Sequence, residues 1–193
     1  MVMRSRVVLE TKRLRLRTWT EKYGDLLNIH CNTDGVMEHL GRKQSPAEHR
    51  KMVRWLIQQQ NDYQTTFWVI ERKEDDEFLG FCGFILVDEP DSTVLGATEI
   101  GWRLREDVRG KGYAKEAAVA CLHRAFRDEE ELRVVSRTIR KNKPSWGLME
   151  WLGMRHDPRL DYTSSEGGDP FIVYVATYED WKQIKKDHRD TAI

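Results

Sequence analysis

The residue types most typical of ligand chemistry lie in one short basic turn, residues 106–117, which reads EDVRGKGYAKEA. Gly110 and Gly112 alternate there with the basic residues Arg109 and Lys111, directly before a helical pattern. The first turn of a helix exposes unpaired backbone N–H groups and a partial positive charge, and glycine lets an anion approach them closely. The turn therefore predicts a site for phosphate oxygens.

Two common nucleotide-binding patterns do not fit this turn. A P-loop needs Gly-Lys followed by Ser or Thr, whereas Lys111 is followed by Gly112 and Tyr113. The dinucleotide-binding fingerprint needs a third glycine at the position that Lys115 occupies. A P-loop kinase and a nicotinamide-dependent enzyme are therefore both disfavoured.

The chain around the turn alternates between strand and helix patterns. Alternating or β-rich runs predict strands at 13–19, 66–73, 78–87, 95–105, 132–139 and 171–178. Helical spacing and capping residues predict helices at 21–31, 34–40, 45–60, 114–126, 144–153 and from about Glu179. The acidic turn between the second and third strands indicates an antiparallel hairpin, and the strand–helix–strand passage through residues 98–139 implies a parallel pair.

Individual side chains in these elements carry more specific expectations. Leu14 and Leu16 alternate with arginines, so both are expected to face the core from one side of the first strand. Thr20 is a candidate cap for the first helix. Ser45 and Glu48 match the capping box that would begin the third helix.

The composition describes an ordinary globular chain whose length predicts one domain, spanning residues 1–193. Lys+Arg and Asp+Glu each number 32, and this zero net charge argues against a general nucleic-acid or membrane-surface binder. No apolar run reaches the length of a signal peptide or membrane span, so a cytoplasmic location is expected. Cys31, Cys82 and Cys121 form no C-x-x-C pair and are expected to be buried and free, and the six histidines lack metal-ligand spacing.

The basic turn also matches a family pattern. Arg109-x-x-Gly112-x-Ala114, after a strand and opening a helix, resembles the acyl-CoA pyrophosphate loop of the GNAT N-acetyltransferase superfamily, whose pattern is Gln/Arg-x-x-Gly-x-Gly/Ala. TEIGWRLREDV lies where the family has its cofactor-binding strand, and Asn142-x-x-Ser145 matches the branch that includes the ribosomal-protein alanine acetyltransferases. With LRLR near the start and a terminal Y-x-x-W helix, the resemblance covers nearly the whole chain.

This resemblance implies the α+β fold of the acyl-CoA N-acyltransferases. Its central twisted sheet is expected to be mostly antiparallel, with six or seven strands, one splayed parallel pair and flanking helices. The resemblance also implies acetyl-CoA as co-substrate, no metal, and a primary-amine acceptor. The acceptor could be a protein N-terminal amine or a small amine such as a polyamine, amino acid or antibiotic, and the protein could be a monomer or a homodimer.

The family's cofactor-binding positions carry over residue by residue. Backbone amides of residues 110–114 are implied to bind pyrophosphate, and the backbone of residues 102–104 to pair with the pantetheine arm like an added strand. Asn142 is implied to hydrogen-bond to pantetheine, and Ser145 to lie near the sulfur. The implied cofactor-binding residues are Trp102, Arg103, Leu104, Arg109, Gly110, Lys111, Gly112, Tyr113, Ala114, Asn142 and Ser145.

The two glycines of the turn carry different expectations under this resemblance. Gly112 occupies an invariant position of the pattern where phosphate must come close, so it is expected to be intolerant of substitution. Gly110 occupies a variable position and is expected to tolerate change. The neighbouring lysines are expected to tune affinity through charge.

Two side chains are candidates for the chemistry of acyl transfer, which needs a neutral amine and a proton for the departing thiolate. Glu99, in ATEIGW, could accept the amine's proton; alternatively it faces solvent or pairs with an arginine. Ser145 could protonate the thiolate, or could instead cap the following helix. No tyrosine lies within residues 142–152, where many members of the superfamily place their acid, and no cysteine adjoins a histidine as a covalent nucleophile would.

Other interpretations of the chain stay open at this point. The same cofactor signature fits a CoA-binding sensor or interaction module without turnover. A cationic acceptor could be attracted by the acidic residues Asp88, Glu89, Asp91, Asp161 and Glu166. Nucleic-acid binding would depend on Arg133, Arg137, Arg140, Lys141 and Lys143, and the zero net charge disfavours it.

Overall fold

The computed structural model describes residues 5–127, 133–165 and 167–182. The strands are β1 (Val7–Glu10), β2 (Leu14–Arg17), β3 (Phe67–Arg72), β4 (Phe78–Leu86), β5 (Thr98–Leu104), β6 (Arg133–Ile139), β7 (Arg155–His156) and β8 (Phe171–Thr177). The helices are α1 (Lys22–Cys31), α2 (Asp34–Met37), α3 (Pro46–Tyr63), α4 (Tyr113–Arg127) and α5 (Lys143–Trp151), with 3₁₀ turns at Glu106–Val108 and Pro158–Leu160.

All eight strands form one sheet in the order β1-β2-β3-β4-β5-β6-β8-β7. Neighbours pair antiparallel except β5 and β6, which are parallel. These two strands register at one Cα pair, Glu99 with Val135, close to the start of each strand. Beyond that pair they diverge, so the predicted mostly antiparallel sheet with one splayed parallel pair is confirmed.

The sheet has eight strands where six or seven were expected. The additional strands, β1 and β7, are four and two residues long and form the two edges. Such short segments carry too little periodicity to be recognised along the chain. Leu14 and Leu16 in β2 are fully buried, as their alternation predicted.

Helices cover both faces of the sheet. The apolar face of α4, which includes Cys121 and Phe126, packs with β2, β3 and β4 in one buried cluster. On the other face, α1 and α3 pack against β3 and β4, and Cys31 lies in this second cluster. Cys31, Cys82 and Cys121 are all buried, as expected, and the Sγ atoms of Cys82 and Cys121 lie 3.9 Å apart. None of the described helices combines the length and the apolar composition that crossing a bilayer requires.

The helix ends confirm one predicted cap and correct another. Ser45 and Glu48 form the capping box that begins α3. The predicted cap at Thr20 is wrong: Glu21 occupies the N-cap position of α1 without a side-chain hydrogen bond, and Thr20 contributes only its carbonyl, which accepts from Tyr23 N. Residues 178–182 begin the predicted C-terminal helix, and the rest of that helix lies outside the described residues.

Candidate active site

A cavity of about 770 Å³ opens where β5 and β6 diverge, and we call it the central cavity. Strands β5 and β6, the loop after β5, and helices α2, α4 and α5 all contribute to its lining. Every residue predicted for the site lines the cavity except Lys111. The lining residues from that prediction are Glu99, Trp102, Arg103, Leu104, Arg109, Gly110, Gly112, Tyr113, Ala114, Asn142 and Ser145.

Residues 109–114, which we call the glycine loop, connect the 3₁₀ turn after β5 to helix α4. Gly110 and Gly112 have φ values of +76° and +81°, in the left-handed region that glycine adopts without strain. The first helical hydrogen bond of α4 runs from Glu116 N to Gly112 O, at 3.0 Å. The N–H groups that precede it in the helix have no partner within α4 and face the end where the two glycines leave space. This geometry suits phosphate oxygens.

The backbone at the two glycines changes one expectation. A Cβ at Gly110 would meet nothing within 4 Å, and one at Gly112 would approach only Arg13 Nη2, at 3.4 Å. Neither position is crowded in the protein itself, but both have positive φ. The expectation that Gly110 tolerates substitution therefore loses its support, because an L side chain is strained at either position.

An ion pair between a half-exposed arginine and a buried glutamate anchors the glycine loop, and the sequence analysis missed it. Glu116 is 1% exposed, and its carboxylate accepts hydrogen bonds from Thr11 Oγ1 at 2.5 Å, Arg13 N at 2.8 Å and Arg13 Nε at 2.6 Å. Arg13 Nη1 donates to the Lys111 carbonyl at 2.9 Å, and the guanidinium lies 4.4 Å from the centroid of the Tyr113 ring. Arg13, the residue before β2, thus ties the start of β2 to the middle of the loop and to the first turn of α4.

Glu99, the candidate base, forms a second buried ion pair. Its carboxylate is bound by Arg137 Nη2 at 2.7 Å and Nε at 3.1 Å, so the alternative reading as an arginine-paired residue is confirmed. Arg137 also donates to Glu89 at 2.8 Å and to the Tyr162 hydroxyl. Burial raises the pKa of Glu99, and the opposing charge of Arg137 only reduces that rise. Glu99 nevertheless lines the cavity, at the point where β5 and β6 separate.

Alternate residues of β5 point to the same side of the sheet, which places Glu99, Gly101 and Arg103 on one face. A Cβ at Gly101 would lie 2.8 Å from the Phe67 ring, so only glycine fits beside that ring. Phe67 stacks on Phe81 with ring centroids 5.4 Å apart and an interplanar angle of 8°. The cavity therefore has an aromatic wall between Glu99 and Arg103.

The structure at the start of α5 contradicts the alternative prediction that Ser145 caps this helix. Asn142 is the N-cap of the helix, and its Oδ1 accepts from Ser145 N at 3.3 Å. Ser145 lies inside the first turn, so it does not cap the helix. Its half-buried hydroxyl lines the cavity opposite β5.

Several residues considered as alternatives take other positions. Trp68 is buried in the core, whereas Trp102 lines the cavity. The acidic residues Asp88, Glu89, Asp91 and Asp161 do not line the cavity, and Glu166 lies outside the described residues. Glu89, Asp91 and Asp161 accept hydrogen bonds from neighbouring loops and strands, which leaves them poorly suited to attract a cationic acceptor.

The sheet, its splayed parallel pair and the glycine loop at a helix start define a class of acyl-CoA-type transferase fold, and comparison with known proteins identifies the family. The model of the acetyltransferase (GNAT) domain matches residues 13–155. The chain belongs to this family, whose reaction is acetyl transfer, and the predicted superfamily is confirmed.

Known relatives resemble most of the chain. YkkB, an uncharacterized protein of Bacillus subtilis (strain 168), is 29% identical over 173 residues, covering 89% of this chain and 96% of YkkB. The solved acetyltransferase from Agrobacterium tumefaciens str. C58 superposes with a TM-score of 0.74 at 23% identity, over 91% of this chain and 95% of that one. RimL, a ribosomal L7/L12 α-N-protein acetyltransferase solved in complex with coenzyme A, superposes with a TM-score of 0.71 at 16% identity, over 89% and 98% of the two chains. At these identities the structural likeness is one of fold.

Proposed function

We propose that this chain is an acetyl-CoA-dependent N-acetyltransferase that acts on a primary amine by direct attack in a ternary complex. One observation carries the proposal: an anion-binding glycine loop and a buried carboxylate lie in the same cavity, at the divergence of two parallel strands. Acyl transfer from a phosphate-bearing thioester to an amine needs both features. We also propose that residues 1–193 act as one domain; the predicted cytoplasmic location stays a prediction.

The donor end of the cavity supports binding of coenzyme A. Its volume of about 770 Å³ lies within the range of ligand pockets, roughly 300–1,000 Å³. Residues 110–114 would hold the pyrophosphate through backbone N–H groups, with Arg109 and Lys111 adding positive charge. Beyond Glu99 the side of β5 that faces β6 has no strand partner in the described part of the chain, so residues 102–104 would pair with the pantetheine amides. Asn142 would donate to the same arm from α5.

The chemistry would use side chains from both walls. Bound acetyl-CoA would supply an activated acetyl thioester. Glu99 would accept a proton from the ammonium group of the acceptor, so that the neutral amine attacks the thioester carbonyl, and burial, which raises the pKa of Glu99, makes it a better base than an exposed glutamate. The Ser145 hydroxyl would donate to the departing thiolate as the C–S bond breaks and the C–N bond forms. Arg137 would hold the Glu99 carboxylate in position.

Direct binding and turnover measurements test this proposal. Isothermal titration calorimetry of the purified protein should show saturable binding of acetyl-CoA, with a rise in the melting temperature. A screen with labelled acetyl-CoA against amine libraries and N-terminal peptides should then identify an acceptor. A wild type that does not bind acetyl-CoA would refute the proposal. Binding without turnover of any amine would instead favour the CoA-binding module.

A further inference from the structure

Arg103 lines the central cavity with a largely buried guanidinium, and no carboxylate among the described residues forms an ion pair with it. Its Nε and Nη1 atoms have no exposure and no hydrogen-bond partner among the described residues. The guanidinium carbon lies 5.4 Å from the centroid of the Phe81 ring, which shields one side of the cation. The guanidinium is therefore an incompletely satisfied cation where the cavity meets the aromatic wall.

The groups around Arg103 supply no negative charge. Burial raises the pKa of Cys31 to about 12, so its thiol is uncharged. Burial, followed by the positive charge of Arg103, lowers the pKa of His49, whose ring is 1% exposed and neutral. The two carboxylates that line the cavity are Glu38 and Glu99. Neither forms an ion pair with Arg103 among the described residues. Glu99 binds Arg137, and Oε2 of Glu38 lies 3.9 Å from Nε2 of His39.

The other well-buried arginines near the cavity are all paired. Arg137 binds Glu99 and Glu89, and Arg105 binds Asp107 at 2.6 Å and Glu77 at 3.5 Å. An arginine keeps its charge in a protein, and a buried charge without a partner destabilises the fold. Arg103 is the exception to this pairing, and it points into a ligand cavity. Such a position is suited to an anionic group brought by the ligand.

Building on the proposed acetyltransferase function, we infer that the acceptor is an amine that also carries a carboxylate, and that Arg103 binds this carboxylate. A guanidinium that has unsatisfied N–H groups and no ion-pair partner favours a nearby carboxylate, with which it forms charge-assisted hydrogen bonds. Glu99 and Arg103 lie four residues apart on one face of β5, roughly 13 Å between Cα atoms at the rise of a strand. The amine and the carboxylate are thus held at opposite ends of the Phe67–Phe81 wall. A polyamine would instead meet an unpaired positive charge.

The competing source of an anion is coenzyme A itself, and matched acceptors separate the two. Labelled acetyl-CoA is supplied to wild type and Arg103→Met with amino acids, ω-amino acids and short peptides, each paired with its carboxamide. For wild type, we expect kcat/KM to be at least about tenfold higher for the carboxylate member of a productive pair, as for one charge-assisted hydrogen bond. Arg103→Met should remove that preference and change the Kd of acetyl-CoA less than about twofold, since residue 103 is proposed to meet the coenzyme through its backbone.

A second measurement needs no substrate. Arg103→Met should raise the melting temperature of the ligand-free protein, because an apolar side chain of similar length replaces an uncompensated charge. The matched control is Arg105→Met on the same strand end, which should lower the melting temperature because Arg105 is paired. A lower melting temperature for Arg103→Met would assign Arg103 a structural role and overturn the inference.

The outcomes distinguish this inference from the proposed function. A wild type that binds acetyl-CoA but acetylates only neutral or polycationic amines, or no carboxylate member of the panel, overturns the carboxylate inference alone. A loss of acetyl-CoA affinity in Arg103→Met with unchanged acceptor preference assigns the anion to the coenzyme and also overturns it. Absence of acetyl-CoA binding in wild type refutes the proposed function itself.

Discussion

The two ends of the central cavity differ in whether their buried charged side chain has a partner among the described residues. At the glycine loop, Glu116 is almost fully buried, and Thr11 and Arg13 donate three short hydrogen bonds to its carboxylate. At the other end, Arg103 is buried with two donors unpaired. A paired charge stabilises a loop in one conformation, whereas a buried charge without a partner favours binding of a ligand that carries the opposite charge. The glycine loop is thus held in one conformation by the protein itself, whereas the proposed acceptor end would be completed by its substrate.

Glu99 lies between these ends and takes part in both kinds of interaction. It is paired, like Glu116, yet it faces the cavity, like Arg103. Arg137 holds it from β6 and is itself shared with Glu89 and Tyr162. Substitutions along the cavity should therefore separate effects on coenzyme affinity from effects on turnover.

The largest effect on turnover is expected from Glu99→Gln. Loss of a general base lowers kcat by about 100-fold or more, while the Kd of acetyl-CoA should stay within about twofold. Because the pKa of Glu99 is raised by burial, wild-type kcat should fall as pH decreases through a value above that of an ordinary glutamate. Glu99→Gln should lack this acidic limb, as measured by initial rates across pH.

The matched control for this change is Glu89→Gln. Glu89 also binds Arg137, but it does not line the cavity. Glu89→Gln should lower the melting temperature with only a small change in kcat. Equal losses of kcat in the two variants would show that the network around Arg137 is structural and that Glu99 is not the base.

The largest effect on coenzyme affinity is expected from Gly112→Val. A β-branched residue at φ = +81° is strained by roughly 1–3 kcal/mol, and its side chain would occupy the space for phosphate. Calorimetry should detect at least about 100-fold weaker binding of acetyl-CoA. Gly96→Val is the control, because Gly96 has a similar φ of +77° and lies away from the cavity. If Gly96→Val weakens binding equally, the loss arises from strain and not from the loop.

A smaller loss of affinity should follow from Glu116→Gln, which tests whether the pair with Arg13 preorganises the loop. Because Arg13 is half-exposed, weakening its charge-assisted hydrogen bonds to Glu116 should cost about 2 kcal/mol of unfolding free energy, measurable by urea titration. Without the anchor on Arg13, the affinity for acetyl-CoA should fall by about tenfold.

Glu71→Gln is the comparison variant for Glu116→Gln. Glu71 is 8% exposed and pairs with Arg15 and Arg17 at 3.3 and 3.2 Å, with no contact to the glycine loop. It should lose stability and keep its affinity for acetyl-CoA. An unchanged affinity in Glu116→Gln as well would mean that the loop holds its conformation without the ion pair.

The sequence predicted what depends on local periodicity and turn chemistry. The hairpin of β3 and β4, the capping box of α3 and the helix α4 were all predicted, because each depends on residues that are close together in the sequence. The cap of α5 is also a local feature, yet the sequence analysis considered Ser145 for it and not Asn142. Pro144 belongs in the first helical turn, so the cap had to precede it, and Asn142 satisfies that requirement.

The interactions that the sequence did not predict connect distant segments. Glu116 meets Arg13 across 103 positions, and nothing in the spacing of either residue indicates the partner. A glutamate among the apolar positions of α4 was the one available signal. The unpaired state of Arg103 is likewise a property of the packed fold, since it depends on Cys31 and His49 being neutral and on Glu99 being bound elsewhere.

Ser145→Ala is expected to lower turnover less than Glu99→Gln does, and it separates a chemical role of the hydroxyl from a structural one. If the hydroxyl assists departure of the thiolate, kcat should fall by about tenfold in steady-state assays. The melting temperature should stay unchanged, because Asn142 caps α5. The reciprocal variant Asn142→Ala should cost about 1 kcal/mol of unfolding free energy through loss of that cap, and it should weaken acetyl-CoA binding. A Ser145→Ala protein with full kcat would leave Glu99 as the one side chain proposed to move a proton at this junction.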